Sequence, residues 1–148
     1  MDAIEIATPL VKRFEGCRLA PYLCPAGKAT IGYGMTVYPD TGKKVSMSDP
    51  ALTQEQAEDY LGQVISRVEK ALDRLVDAPL SANQMAALIS FVYNIGEVRF
   101  SASTMLKMLN AGDYKGASAQ FDEWDHIGNV VNAGLARRRR EEAALFLS

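Results

Sequence analysis

The chain reads as a single α+β domain, and three observations carry that reading. An amphipathic stretch opens it at residues 3–15. A segment broken by glycine and proline follows, with short β-type runs between the breaks. From residue 53 onward the apolar residues recur at helical spacing.

The first stretch places Ile4, Ile6, Ala7, Leu10, Val11 and Phe14 on a helix, and Gly16 supplies its C-terminal stop. Residues 17–47 contain Pro21, Pro25, Gly27, Gly32, Gly34, Pro39 and Gly42 around the runs Ala29-Thr30-Ile31 and Met35-Thr36-Val37-Tyr38. They predict a small antiparallel sheet with turns near Pro25-Ala26-Gly27 and Pro39-Asp40-Thr41-Gly42. Thr53-Gln54-Glu55-Gln56 has capping-box spacing. Behind it, Tyr60, Leu61, Val64, Ile65, Val68, Leu72, Leu75 and Val76 form one apolar stripe. Ser81-Ala82-Asn83-Gln84 repeats the capping signature and opens the run Met85 to Ile95, which ends at Gly96. That run has too little polar face for the surface, so it is expected as the central buried helix. Helices near 103–110, 113–125 and 134–147 complete the chain, the first two separated at Asn110-Ala111-Gly112. The expected organisation is one domain over 1–148. It has a small-sheet lobe at 16–52 and a helical lobe at 53–148 that also takes in the N-terminal helix.

A chain of 148 residues buries ~68–70% of its unfolded surface without staples. Its 48% hydrophobic and 23% charged residues are ordinary for a soluble globular protein. A net charge of −2 gives no sign of nucleic-acid binding. Arg137-Arg138-Arg139-Arg140, followed by Glu141-Glu142 on a helix, reads as a solvated or ion-paired stretch. Two cysteines and one histidine are too few for a zinc site, so no metal is expected. Met1-Asp2-Ala3-Ile4-Glu5 lacks a basic leader region, and no apolar run is long enough to span a membrane. The expectation is a protein held in the cytoplasm, with no membrane anchor, until something else releases it.

Glu15, Cys24 and Thr30 carry the chemistry. Eight residues separate the first pair and five the second. Glycoside hydrolysis needs a carboxylic acid to protonate the leaving oxygen, and an activated water or a nucleophile on the opposite face. Here a thiol stands where a second carboxylate is expected. Glu15 falls at the C-terminal end of the first helix. The negative end of the helix dipole disfavours a charged carboxylate there, which suits a general acid. A cation such as Arg18 or Lys28 can make Cys24 a thiolate, a nucleophile or a base toward water. Thr30 can orient a water or bond the middle residue. Taken singly, each has a blander reading: a surface glutamate, a cysteine bridged to Cys17 across a turn, and a threonine that favours a strand.

The combination resembles the phage lysozymes (endolysins) of glycoside hydrolase family 24, the family of T-even phage lysozyme. That signature is Glu, eight residues, Asp or Cys, five residues, Thr, and this chain resembles the Cys-bearing branch. The flanking Phe14-Glu15-Gly16, Arg18-Leu19, Tyr22 and Thr30-Ile31-Gly32-Tyr33-Gly34 also match. So do Thr53-Gln54-Glu55-Gln56-Ala57-Glu58, Ser90-Phe91-Val92-Tyr93-Asn94-Ile95-Gly96, Leu109-Asn110-Ala111-Gly112-Asp113-Tyr114 and Gly134-Leu135-Ala136-Arg137-Arg138-Arg139. The resemblance runs the length of the chain.

It implies a lysozyme-like fold with a cleft between two lobes. It implies an N-acetylmuramidase that cuts the β-1,4 bond between N-acetylmuramic acid and N-acetylglucosamine in peptidoglycan, without a cofactor. Glu15 would be the acid, Thr30 would hold the water or the sugar-side geometry, and Cys24 would fill the middle role. Asn94 and Tyr33 would line the saccharide site. Arg138, or less well Arg137, would pair with Glu15 and favour its charged form, against the dipole. The protein would be a monomer released through a separate holin. Met35 departs from the histidine common in the family, with consequences for packing more than for chemistry. His126 has no expected role, and Trp124 is expected as a core anchor. Two alternatives remain open: a peptidoglycan-binding protein without catalysis, and a lysozyme gated by a Cys17–Cys24 disulfide.

Overall fold

The computed structural model describes all 148 residues, Met1–Ser148. Helix α1 spans Ala3–Glu15 and starts where Asp2 Oδ1 accepts the Glu5 N–H at 2.8 Å. Strands β1 (Arg18–Leu23) and β2 (Ala29–Gly32) pair antiparallel, Tyr22 opposite Thr30 and Leu23 opposite Ala29, with a bulge between Arg18 and Tyr22. Helix α2 spans Gln54–Leu75. Its box is reciprocal, as the spacing predicts: Gln56 N–H donates to Thr53 Oγ1 at 3.1 Å, and Thr53 N–H to Gln56 Oε1 at 2.9 Å.

Helix α3 (Ala82–Ile95) carries the second box, Ser81 with Gln84, and its residues from Ala86 to Val92 are all buried. Then come α4 (Glu97–Ser101), α5 (Thr104–Asn110) and α6 (Tyr114–Ala119). A 3-10 turn at Gln120–Trp124 leads to a two-stranded hairpin, β3 (His126–Ile127) and β4 (Val130–Val131). Helix α7 spans Ala133–Leu147. The sequence pattern does not announce α4 or the β3–β4 hairpin, and the helix expected over 113–125 is α6 followed by the tighter turn.

The chain forms two units, and their border differs from the one expected at residue 52. One unit is Thr8–Ser66; the other is Met1–Ala7 with Arg67–Ser148. Packing explains the shift. In the first unit Ile31, Met35 and Val45 form an apolar centre, and Tyr60 and Val64 from the first half of α2 pack on it with Tyr38 and Leu52. A helix that covers the sheet belongs with the sheet. Met35 is 6% exposed inside this centre, so a thioether fills the place expected of histidine by packing alone.

In the second unit Phe91 of α3 is the hub. The rings of Phe121, Trp124 and Phe100 meet it edge-on at 5.1, 5.8 and 6.5 Å. Trp124 is thus the aromatic anchor it was expected to be. Asn110, at the expected break, ties the loop after α2: its Oδ1 accepts the Asp77 N–H and its Nδ2 donates to Leu75 O.

Candidate active site

Glu15, Cys24 and Thr30 all lie in the sheet unit, each fixed by the element that carries it. Glu15 is the last residue of α1, and Gly16 closes the helix through its N–H on Lys12 O at 2.9 Å. The Glu15 carboxyl lies against the backbone of Gly34: a Cβ built there would stand 2.5 Å from Oε1.

Cys24 follows β1 and Thr30 sits in β2, so the hairpin brings them together. One carbonyl ties both. Lys28 O accepts the Cys24 N–H at 3.0 Å and the Thr30 hydroxyl at 2.9 Å. The Cys24 thiol is held below its ordinary value, chiefly by the Lys28 main-chain N–H and against some desolvation. The Thr30 hydroxyl and the Ala26 N–H act in the same direction. A thiolate is therefore stabilised by hydrogen bonds, where the sequence pointed to the cations Arg18 and Lys28. Arg18 instead stacks on the Tyr22 ring, 4.5 Å from its centroid. The Tyr22 phenol is pushed up, first by burial and also by the negative charges of Glu15 and Cys24. Tyr22 thus feels the charge of both groups; sequence reasoning had matched it only as a flanking residue.

One expectation is corrected here. Cys17 and Cys24 are both free thiols. They sit at opposite ends of strand β1, and seven steps at ~3.3 Å each separate their Cα atoms far beyond the ~7 Å limit of a disulfide. The expected turn between them is a strand. Cys17 instead points its sulfur at Gln54 Oε1, 3.9 Å away. Tyr33, expected at the sugar, is 6% exposed. Its hydroxyl donates to Glu58 Oε1 at 3.2 Å and accepts from Gln54 Nε2 at 3.1 Å. Lys12 pairs with the same Glu58 at 2.6 Å. Tyr33 braces α1 against α2 and has little surface left for a ligand.

Asn94 and Arg138 lie in the helical unit, together with Arg139 and Glu142, to which the sequence reading assigned no role of their own. The four-arginine run divides: Arg137 and Arg140 are exposed, whereas Arg138 and Arg139 are 4% and 1% exposed. Glu142, fully buried, accepts from Arg138 Nε at 3.2 Å, Arg139 Nη1 at 2.5 Å and Ser90 Oγ at 2.6 Å. Arg138 also donates to Ser90 O at 2.9 Å. Arg139 lies over the Phe91 ring, donates to Trp124 O at 2.9 Å, and donates through Nη2 to Asn94 Oδ1. That bond turns the Asn94 amide so that its Nδ2 faces away from Arg139, ready to donate elsewhere. The signal was legible: Glu142 stands three and four residues after the two arginines, the spacing of helical ion pairs.

Residues 12–142 match the sequence profile of the Phage lysozyme family. The chain belongs to that family. This phage lysozyme is 44% identical, over its whole length and 99% of the relative's, to the endolysin of Acyrthosiphon pisum secondary endosymbiont phage 1. It is 41% identical to the endolysin of Salmonella phage P22, over 93% of this chain and 92% of that one. Among solved structures, the endolysin from Escherichia coli O157:H7 phage FAHEc1 superposes with a TM-score of 0.86 at 34% identity, covering 100% of this chain and 94% of that one. The helices and small sheets are therefore a lysozyme fold, and the enzyme is a glycoside hydrolase.

Proposed function

We propose that this phage lysozyme is a muramidase that cuts the β-1,4 bond between N-acetylmuramic acid and N-acetylglucosamine in peptidoglycan by single displacement. Glu15 gives its proton to the glycosidic oxygen as the bond to C1 breaks. A water attacks C1 from the opposite face and passes a proton to the Cys24 thiolate. The Thr30 hydroxyl holds that water, and the configuration at C1 inverts. Glu15 ends as a carboxylate and Cys24 as a thiol; exchange with solvent resets both. The observation that carries the reading is the shared Lys28 carbonyl, which sets Thr30 beside Cys24 while hydrogen bonds favour the thiolate. A hydroxyl next to the sulfur gives a water a second partner, which a nucleophilic cysteine would not need.

Asn94 serves the sugar through its Nδ2, and Arg138 supports the helical unit from the buried network that it shares with Arg139 and Glu142. Tyr33 serves the framework. Beyond the site, we read the enzyme as a monomer without metal or cofactor that waits in the host cytoplasm and reaches the wall through a pore made by a separate holin. Its likeness to phage endolysins supports that route. No helix is long and apolar enough to cross a membrane.

The test is digestion of purified peptidoglycan followed by borohydride reduction of the new ends. Muramitol should form with the wild type and be abolished in Glu15→Gln. Reduced glucosamine ends, or unchanged release by Glu15→Gln, would refute the reading. Cells expressing the enzyme in their cytoplasm should lyse only once the inner membrane is permeabilised.

A further inference from the structure

We infer that Gly34 is the seat of the Glu15 carboxyl, a positioning residue that aims the acid. The inference rests on Glu15 being the acid. Gly34 has φ +77°, a left-handed conformation. A Cβ at this position would lie 2.5 Å from Glu15 Oε1, closer than real Cβ contacts come, and a tight 3.3 Å from Cδ. Conformation alone does not single Gly34 out. Gly16, Gly27 and Gly42 share the positive φ, yet a Cβ on any of them meets nothing within 4 Å. Gly34 is the positive-φ glycine whose missing side chain makes room for a titratable group.

Neither backbone can yield. The turn is closed on both sides by Ile31 and Met35, each N–H donating to the other's carbonyl at 2.9 Å. Both residues are anchored in the apolar centre of the sheet unit. Glu15 is held by the last turn of α1. An added methyl must therefore be relieved by the end of the Glu15 side chain, which is flexible. The protein keeps its fold, and the acid loses its aim. Because Gly34 touches the acid, the loss falls on the chemical step.

The experiment compares Gly34→Ala, Gly42→Ala and Glu15→Gln in the full chain, with kcat and KM on solubilised peptidoglycan strands. Gly42→Ala carries the same backbone strain without the clash. Gly34→Ala should lower kcat by ~100-fold with KM changed less than ~3-fold, and Gly42→Ala should keep kcat within ~3-fold. Wild-type kcat in Gly34→Ala beside an inactive Glu15→Gln would overturn the positioning role and leave the acid standing. Activity in Glu15→Gln would remove the acid itself. A melting experiment covers the case of a poorly folding Gly34→Ala. The Glu15→Ala/Gly34→Ala pair should then recover stability, since the clash is gone. A double variant no more stable than the single one would overturn the inference, because glycine would then serve the turn alone.

Discussion

Thr30 and Lys28 are joined by a hydrogen bond from the Thr30 hydroxyl to the Lys28 carbonyl, 2.9 Å long, in a site where Thr30 is 2% exposed. The same carbonyl receives the Cys24 N–H. The hydroxyl donates to that carbonyl and is also among the groups that lower the Cys24 thiol. A base works deprotonated, so activity rises as pH passes the Cys24 value. Thr30→Val removes one of the groups that lower that value. The acidic limb of the pH–rate profile should move to higher pH, and kcat at pH 6 should fall ~10²-fold or more. An unmoved limb, read from kcat/KM across pH 4–9, would separate Thr30 from Cys24.

The two cysteines are displaced in opposite directions. Hydrogen bonds lower Cys24, whereas burial of the sulfur raises Cys17. The thiolate is the reactive form, so iodoacetamide near pH 7 should alkylate Cys24 first. Activity should be lost in step with that modification, located by mass spectrometry. Cys17→Ser should lyse walls like the wild type. Two thiols should titrate without added reductant.

Glu142 is a carboxylate that the buried guanidinium groups of Arg138 and Arg139 share. Glu142→Ala removes a carboxylate that two buried guanidinium groups share and frees Ser90 as well. The expected cost is ~3–5 kcal/mol, measured by urea unfolding. A cost below about 1 kcal/mol would mean that water or another anion replaces the carboxylate.

Tyr33 offers the simplest check on a framework role. Tyr33→Phe keeps the ring and removes the hydroxyl that Glu58 and Gln54 share. Stability should drop by about 0.5–1.5 kcal/mol, with KM for peptidoglycan unchanged. A raised KM with unchanged stability would return Tyr33 to the sugar.

Local rules made much of this protein legible. The boxes at Thr53 and Ser81 are backbone chemistry, written in four residues each, and both form as spaced. The apolar run of α3 could only be buried. What stayed hidden depends on distant partners. Arg138 and Arg139 look solvated because arginine usually is, and their burial needs Ser90, Phe91 and Asn94 from another helix. With charged residues sharing the buried side of α7 with Phe146, the helix shows little hydrophobic periodicity. The four residues of β3 and β4 are too few for an alternation to show. In the candidate site, the spacing of Glu15, Cys24 and Thr30 was readable. The source of Cys24's acidity was not, because it lies in main-chain N–H groups that every residue possesses.

The most direct test of the central claim is the anomeric configuration of the first product, followed by proton NMR during digestion of soluble peptidoglycan strands. If Cys24 activates water, the new reducing end appears first as the α anomer and mutarotates afterward. A β anomer appearing first would mean that the sulfur attacks C1 itself, and would contradict single displacement.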